Sequence, residues 1–210
     1  SNLILETPVT KDKKVKMIFA GRGGFNDFLF GLVERLKNTK SRFADGTLKL
    51  RYAANERSYL TLSTFYSYDF YELDLISTLP NINSSSNQFQ YRTLNGSLEW
   101  LKITEDGKGD WRTRIVSSNY TPQLIFPEAF SEAKPNYEAN IRQLSLNSRI
   151  SRELGEHRLK AGVEVINYTI LPGQLNPNGS TQVNPVLLEQ ENGVEASLFA
   201  EMDWQFGPKL

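Results

Sequence analysis

An all-β chain of antiparallel strands joined up-and-down is what the sequence predicts, and three observations predict it. Extended runs rich in Val, Ile, Leu, Thr and Tyr recur along the 210 residues. Several of these runs alternate apolar and polar residues, the pattern of a strand whose two faces meet different surroundings. The connections between runs alternate short, long, short, long.

The expected strands are Leu3–Pro8, Val15–Gly24, Gly46–Ala54, Ser58–Tyr68, Gln90–Lys102, Trp111–Tyr120, Glu138–Arg152, Arg158–Thr169 and Val194–Phe206. In the last, Val194, Ala196, Leu198, Ala200, Met202, Trp204 and Phe206 share one face. Glu195, Ser197, Glu201, Asp203 and Gln205 share the other, and only Phe199 breaks the alternation. Leu159, Ala161, Val163 and Val165 oppose Lys160, Gly162 and Glu164 in the same way. So do Leu94, Leu98 and Trp100 against Thr93, Asn95, Ser97 and Glu99.

The short connections are Val9–Lys14, Asn55–Arg57, Ile103–Asp110, Glu153–His157 and Gly207–Leu210, with turn signals at Asp106-Gly107 and Gly207-Pro208. The long ones are Phe25–Asp45, Asp69–Phe89, Thr121–Tyr137 and Ile170–Gly193. They hold much of the Pro, Asn and Ser, including Pro80-Asn81, Ser84-Ser85-Ser86 and Asn176-Pro177-Asn178-Gly179. Loops of about 20 residues are uncommon in compact soluble domains and are usually functional. Phe28, Leu32 and Leu36 recur every fourth position, so a short helix is expected within residues 25–40.

Composition narrows the function classes. Lys+Arg and Asp+Glu are each 24, leaving no excess positive charge to neutralise nucleic-acid phosphates. With no cysteine, disulfides and thiolate metal sites are excluded. The single histidine, His157, sits in an expected turn, so no histidine-based catalysis and no enzyme activity is expected. No EF-hand loop occurs, and Gly21-x-Gly23-Gly24 lacks the Gly-Lys-Ser/Thr of a phosphate loop. No cofactor is expected. Ser1-Asn2-Leu3 lacks a basic segment followed by an apolar run, so no signal peptide is expected.

No run approaches the roughly 18 consecutive apolar residues of a spanning helix, a test to which alternating barrel strands are blind. The aromatic residues point to lipid. Trp100, Trp111 and Trp204 flank short connections and fall on apolar faces, and Tyr52 precedes Asn55–Arg57 likewise. A second set, Tyr66, Tyr68, Phe70, Tyr71, Phe89, Tyr91, Tyr120, Tyr137 and Tyr168, lies at the long-loop ends. Two such girdles are what two membrane–water interfaces select. The opposite face, with Glu99, Arg112, Arg114, Arg149, Glu164, Glu201 and Asp203, suits a wide lumen. The expected fold is an antiparallel up-and-down transmembrane β-barrel segment, with Trp100, Trp111, Trp204 and Tyr52 as interface aromatics.

Glu6-Thr7-Pro8-Val9-Thr10-Lys11-Asp12-Lys13 runs into Met17-Ile18-Phe19-Ala20-Gly21-Arg22, and Arg22-Gly23-Gly24-Phe25-Asn26-Asp27-Phe28-Leu29 follows. With the hairpin Leu48–Tyr68 and the strand end Ser117-Ser118-Asn119-Tyr120, this ordered series resembles the barrel of TonB-dependent outer-membrane receptors, Bacteroidetes type in particular. The resemblance implies a barrel of roughly 22 strands around a plug, of which residues 1–210 would supply about nine. A plug domain, a TonB-contacting box and the final C-terminal strands are not found in the sequence. It further implies active uptake of a large nutrient such as an iron-siderophore, cobalamin or an oligosaccharide. The implied partners are outer-membrane lipid, the plug and TonB complex of the full-length protein, the nutrient and a surface lipoprotein.

Ligand contact is expected in the long loops, where aromatic rings stack on sugars or chelates and polar neighbours orient them. Arg22, Asn26, Asp27, Tyr68, Phe70, Tyr71 and Phe126 are the candidates. The competing expectation is a soluble β-rich carbohydrate-binding or adhesin module at the cell surface. That reading requires the apolar faces to pack against each other within the chain.

Overall fold

The computed structural model describes residues 2–36, 39–73, 86–128 and 131–204. The expected turn at Gly207-Pro208, the end of the last strand at Phe206, and the Pro80-Asn81 and Ser84-Ser85 segments lie outside them. One antiparallel sheet dominates. Its strands are β1 (Asn2–Pro8), β2 (Val15–Phe25), β3 (Lys40–Asn55), β4 (Ser58–Leu73), β5 (Asn87–Ile103), β6 (Gly109–Ile125), β7 (Asn136–Leu154), β8 (His157–Asn176), the two-residue β9 (Val186–Leu187) and β10 (Glu191–Asp203). Each long strand pairs with its neighbour in sequence, giving the order β1-β2-β3-β4-β5-β6-β7-β8-β10, with β9 also on β8. Among the described residues no helix is long and apolar enough to cross a membrane, which says nothing of strands.

The strands run further than expected chiefly at the loop end, by up to seven residues, against one or two at the turn end. β3 begins at Lys40, where Gly46 was expected, and β8 continues to Asn176, where Thr169 was expected. Gln88 and Gln123 lie in these extensions and Gln90 at the expected start of β5. All three fall on the face that is apolar lower down, so the alternation inverts its phase while the backbone ladder continues. The expected long loops are correspondingly shorter. The expected helix within 25–40 is also cut down, to α1 (Asp27–Gly31) and a 3-10 turn at Glu34–Leu36. Phe28 and Leu32 are 76% and 71% exposed, so no tertiary packing holds a longer helix, and short helices are marginal without it.

At the opposite end the turns are tight and chemically explicit. Thr10 and Thr104 hydroxyls each donate to an aspartate two residues on, Asp12 and Asp106, at 2.6 Å. Each aspartate then accepts the backbone N–H two residues further, from Lys14 at 3.1 Å and Lys108 at 3.0 Å. Both turns therefore share one Thr-x-Asp-x-Lys design, with Lys13 and Gly107 in the left-handed region at φ 57° and 71°. Asp106 has additionally Arg152 at 2.7 Å. The Thr104 hydroxyl first, then the Lys108 N–H and Arg152, hold its carboxyl at about 2.

Register decides the two faces. Residues opposite one another on successive strands form rows across the sheet. One row reads Met17, Leu50, Leu62, Leu98, Ile115, Leu146, Val165 and Ala196. The row above, from Phe19 and Leu48 to Leu144 and Val194, carries no charge. The row below, from Val15 and Tyr52 through Trp100 to Leu198, carries none either. At the same height the other face reads Lys16, Arg51, Thr61, Glu99, Arg114, Asn147, Glu164 and Ser197.

Phe199 lands on this charged face, directly opposite Gly162. A Cβ on Gly162 would lie 2.6 Å from the Phe199 ring and 2.8 Å from the Ser148 carbonyl oxygen. The break in alternation is thus an aromatic ring laid over a bare backbone.

No second layer covers the apolar face. Among the described residues the only buried hydrophobic side chain of the core type is Ala133, whereas Leu98 and Leu146 are each 43% exposed. The internal packing that a soluble sandwich requires is not formed.

Candidate functional site

The loop end of the charged face gathers aromatic side chains. Tyr71 pairs with Phe89 across β4 and β5, and Asp69 pairs with Tyr91 one row below. These four, with Phe70, line a concavity of about 330 Å³. Tyr91 also stacks on Tyr120 of β6, ring centroids 6.4 Å apart and planes 4° from parallel. Flat π surface beside one carboxylate suits a large, partly planar ligand held by stacking and oriented by a polar group.

The expected candidates divide. Phe70 and Tyr71 line the concavity. Asp27 does not line it: Arg42, which pairs with Asp27 at 2.6 Å and stands 6.0 Å from the Phe70 ring centre, shares the opposite face with Tyr68. Asp27 also accepts the Ser41 N–H at 3.0 Å. The Arg42 hydrogen bond, chiefly, lowers its pKa. Asn26 starts α1 with its carbonyl accepting the Phe30 N–H, and its own N–H goes to the Ser41 carbonyl at 2.9 Å. Arg22 pairs with Asp45 at 2.5 Å and lies 5.8 Å from the Phe43 ring. Tyr68 shares the opposite face with Ala44 and Arg92. Phe126 follows β6, its N–H on the Pro135 carbonyl at 3.0 Å. Phe89, Tyr91, Tyr120 and Asp69 join the site beyond those candidates. Counting two-residue steps from Leu98 along β5 separates Phe89 and Tyr91 from the apolar face, so the sequence carried that signal.

The interface aromatics cluster at the turn end of the apolar face. Trp100 and Trp111 rings lie 5.3 Å apart, and their indole N–H groups donate to Ser58 at 3.1 Å and Ser148 at 2.9 Å. Tyr52 shares the Trp100 row, and Trp204 packs on His157 at 5.0 Å. Among the described residues no three His, Asp or Glu side chains gather as metal ligands.

No family model and no curated protein matches the sequence. Solved structures do match. The ferric preacinetobactin receptor BauA of Acinetobacter baumannii is similar over 96% of this chain and 35% of its own length, at 10% identity and a TM-score of 0.62. The ferripyoverdine receptor of the outer membrane of Pseudomonas aeruginosa, bound to ferripyoverdine, is similar over 96% of this chain and 32% of its own, at 11% identity and a TM-score of 0.62. The chain shares the fold of a segment of those receptors, an antiparallel up-and-down sheet of barrel type. The chain spans about a third of the length of the solved receptors it matches. The uncharged rows and the aromatic concavity lie on opposite faces of this sheet, the concavity at its loop end.

Proposed function

We propose that this chain is part of the barrel wall of a TonB-dependent outer-membrane receptor that takes up a large nutrient. The observation that carries the reading is the contrast between faces. Three consecutive rows across the described sheet hold no charge, and the row behind them mixes cations and anions, Lys16, Arg51 and Arg114 with Glu99 and Glu164. Lipid on one side and a water- or protein-filled lumen on the other supply those two environments. The motif series of β1 to β6 favours the Bacteroidetes type. The remaining strands, the plug and the TonB-contacting segment belong to the rest of the full-length protein.

Ligand contact is assigned to Tyr71, Phe89 and Tyr91, with Asp69 and Phe70 at its margin. Both solved receptors of like fold are named for ferric chelates, which makes an iron chelate the first ligand to test ahead of cobalamin or an oligosaccharide. The test is uptake of radiolabelled ferric chelates by cells with and without the full-length gene, repeated in cells lacking TonB. Uptake that depends on both supports the reading. Uptake of no nutrient class tested, or uptake indifferent to TonB, overturns it.

A further inference from the structure

Among the described residues, cations on the uncharged face of the sheet stand at or beyond the borders of its uncharged band, Arg42 and Arg152 there being paired with Asp27 and Asp106. Lys102 stands at the turn end, in the row of Trp111 and Ile150. Arg92 and Arg142 stand at the loop end, in the rows of Tyr68 and Tyr66. Arg92 and Lys102 lie ten residues apart on β5. That is ~34 Å along the strand and ~26 Å of height at a tilt of about 40°, the height of the apolar band of an outer-membrane barrel.

Arg92 and Arg142 are both exposed, and among the described residues neither guanidinium has a hydrogen-bond or ion-pair partner. Thr121 is the cross-strand partner of Arg92, and Asn119, two residues along β6, is the partner of Arg142. The two arginines are therefore two strands and one row apart, roughly 12 Å. Between them the Asn140 amide donates to Asn119 at 2.7 Å and to the Thr121 hydroxyl at 2.8 Å, which holds the floor of the patch in place. The nearest outward carboxylate in the register, Glu138, lies one row beyond Arg92 toward the loops and accepts the Gln123 amide at 3.3 Å.

We infer that Arg92 and Arg142 form a docking site for the phosphate of an anionic lipid in the outer leaflet. Two uncommitted guanidinium groups at the edge of an apolar band meet a headgroup whose chains lie along Leu94, Leu144 and the rows below. Guanidinium binds phosphate oxygens bidentately, and each basic residue beside an anionic lipid surface adds to the attraction. The inference rests on the proposed membrane placement.

The test uses the full-length protein in nanodiscs of phosphatidylcholine with and without phosphatidic acid, with lipid retained after detergent washing measured by mass spectrometry. Phosphatidic acid is expected to be enriched on the native protein. The R92Q/R142Q variant should lose about tenfold or more of that enrichment, and Arg92→Lys with Arg142→Lys should keep most of it. Equal enrichment on native and R92Q/R142Q protein, or displacement of the lipid by inorganic phosphate at equal concentration, overturns the site while leaving the membrane reading intact. A protein that stays out of nanodiscs and is monodisperse in plain buffer overturns both. Heat-modifiable gel migration of each variant reports folding separately, and the single variants R92Q and R142Q substitute if the double variant fails to fold.

Discussion

At the scale of single residues, the outer face makes a prediction that separates lipid from water. Leu146 lies mid-row and is 43% exposed in the sheet alone. On a water-washed surface Leu146→Arg would cost almost nothing. In a bilayer midplane it is expected to cost about 2–4 kcal/mol, measured as a shift in urea-induced unfolding from lipid vesicles. Gly162 makes a second prediction. Gly162→Ala drives a methyl into the Phe199 ring and the Ser148 carbonyl, and overpacking of this kind costs about 1–3 kcal/mol. Phe199→Ala in the same background should recover part of the loss, since the ring can be removed and the Ser148 backbone cannot. Phe199 was legible from the sequence only as a broken alternation. Its reason, a glycine opposite on another strand, requires the register.

At the scale of elements, the Thr-x-Asp-x-Lys turns are where pH acts. The Asp106 carboxyl is lowered from an ordinary value of 3.8 to about 2. A depressed folded-state pKa gives stability that is complete above 3.8 and is lost as pH falls through about 2. Stability should therefore decline between about pH 4 and 2, and Asp106→Asn should flatten that part of the profile, read by heat-modifiable migration after incubation across the range. The turns were legible from Asp106-Gly107 and from Lys11-Asp12-Lys13. The strand ends on the opposite side were not. Around Gln88, Gln90 and Gln123 the period of two persists with its phase inverted, polar residues taking the face that is apolar lower down and Phe89, Tyr91 and Leu124 the other, so the apolar stripe ends although the ladder continues. Residues 25–40 misled in the opposite sense. Their fourfold apolar spacing is real, but Phe28, Leu29 and Leu32 have no surface to pack on, and only five residues of α1 form.

At the scale of the whole molecule, the described sheet ends in two edge strands, β1 and β10, each paired on one side, with one broad uncovered apolar face among the described residues. Open edges and uncovered apolar area drive association. The 210-residue chain expressed by itself in plain buffer is expected to aggregate. The full-length protein in detergent should migrate as a compact band that shifts on boiling. A monodisperse monomer of the 210-residue chain by light scattering would contradict this. The aromatic site is the least legible part of the molecule from sequence. Phe70, Tyr71, Phe89 and Tyr91 were all visible as loop-end rings, but that Tyr71 lies beside Phe89 and Asp69 beside Tyr91 requires the β4–β5 register.

β8 carries its ladder past Thr169, the row of Arg142, as far as Asn176. Those seven further residues add ~24 Å along the strand, or ~18 Å of height at a tilt of about 40°. β3 to β7 rise beside it, so in the proposed membrane placement the wall would stand clear of the bilayer as a parapet. A solute arriving from outside would then enter a walled vestibule before it reached the level of the lipid, and a molecule that missed the aromatic rings on first contact would be held close enough to strike them again.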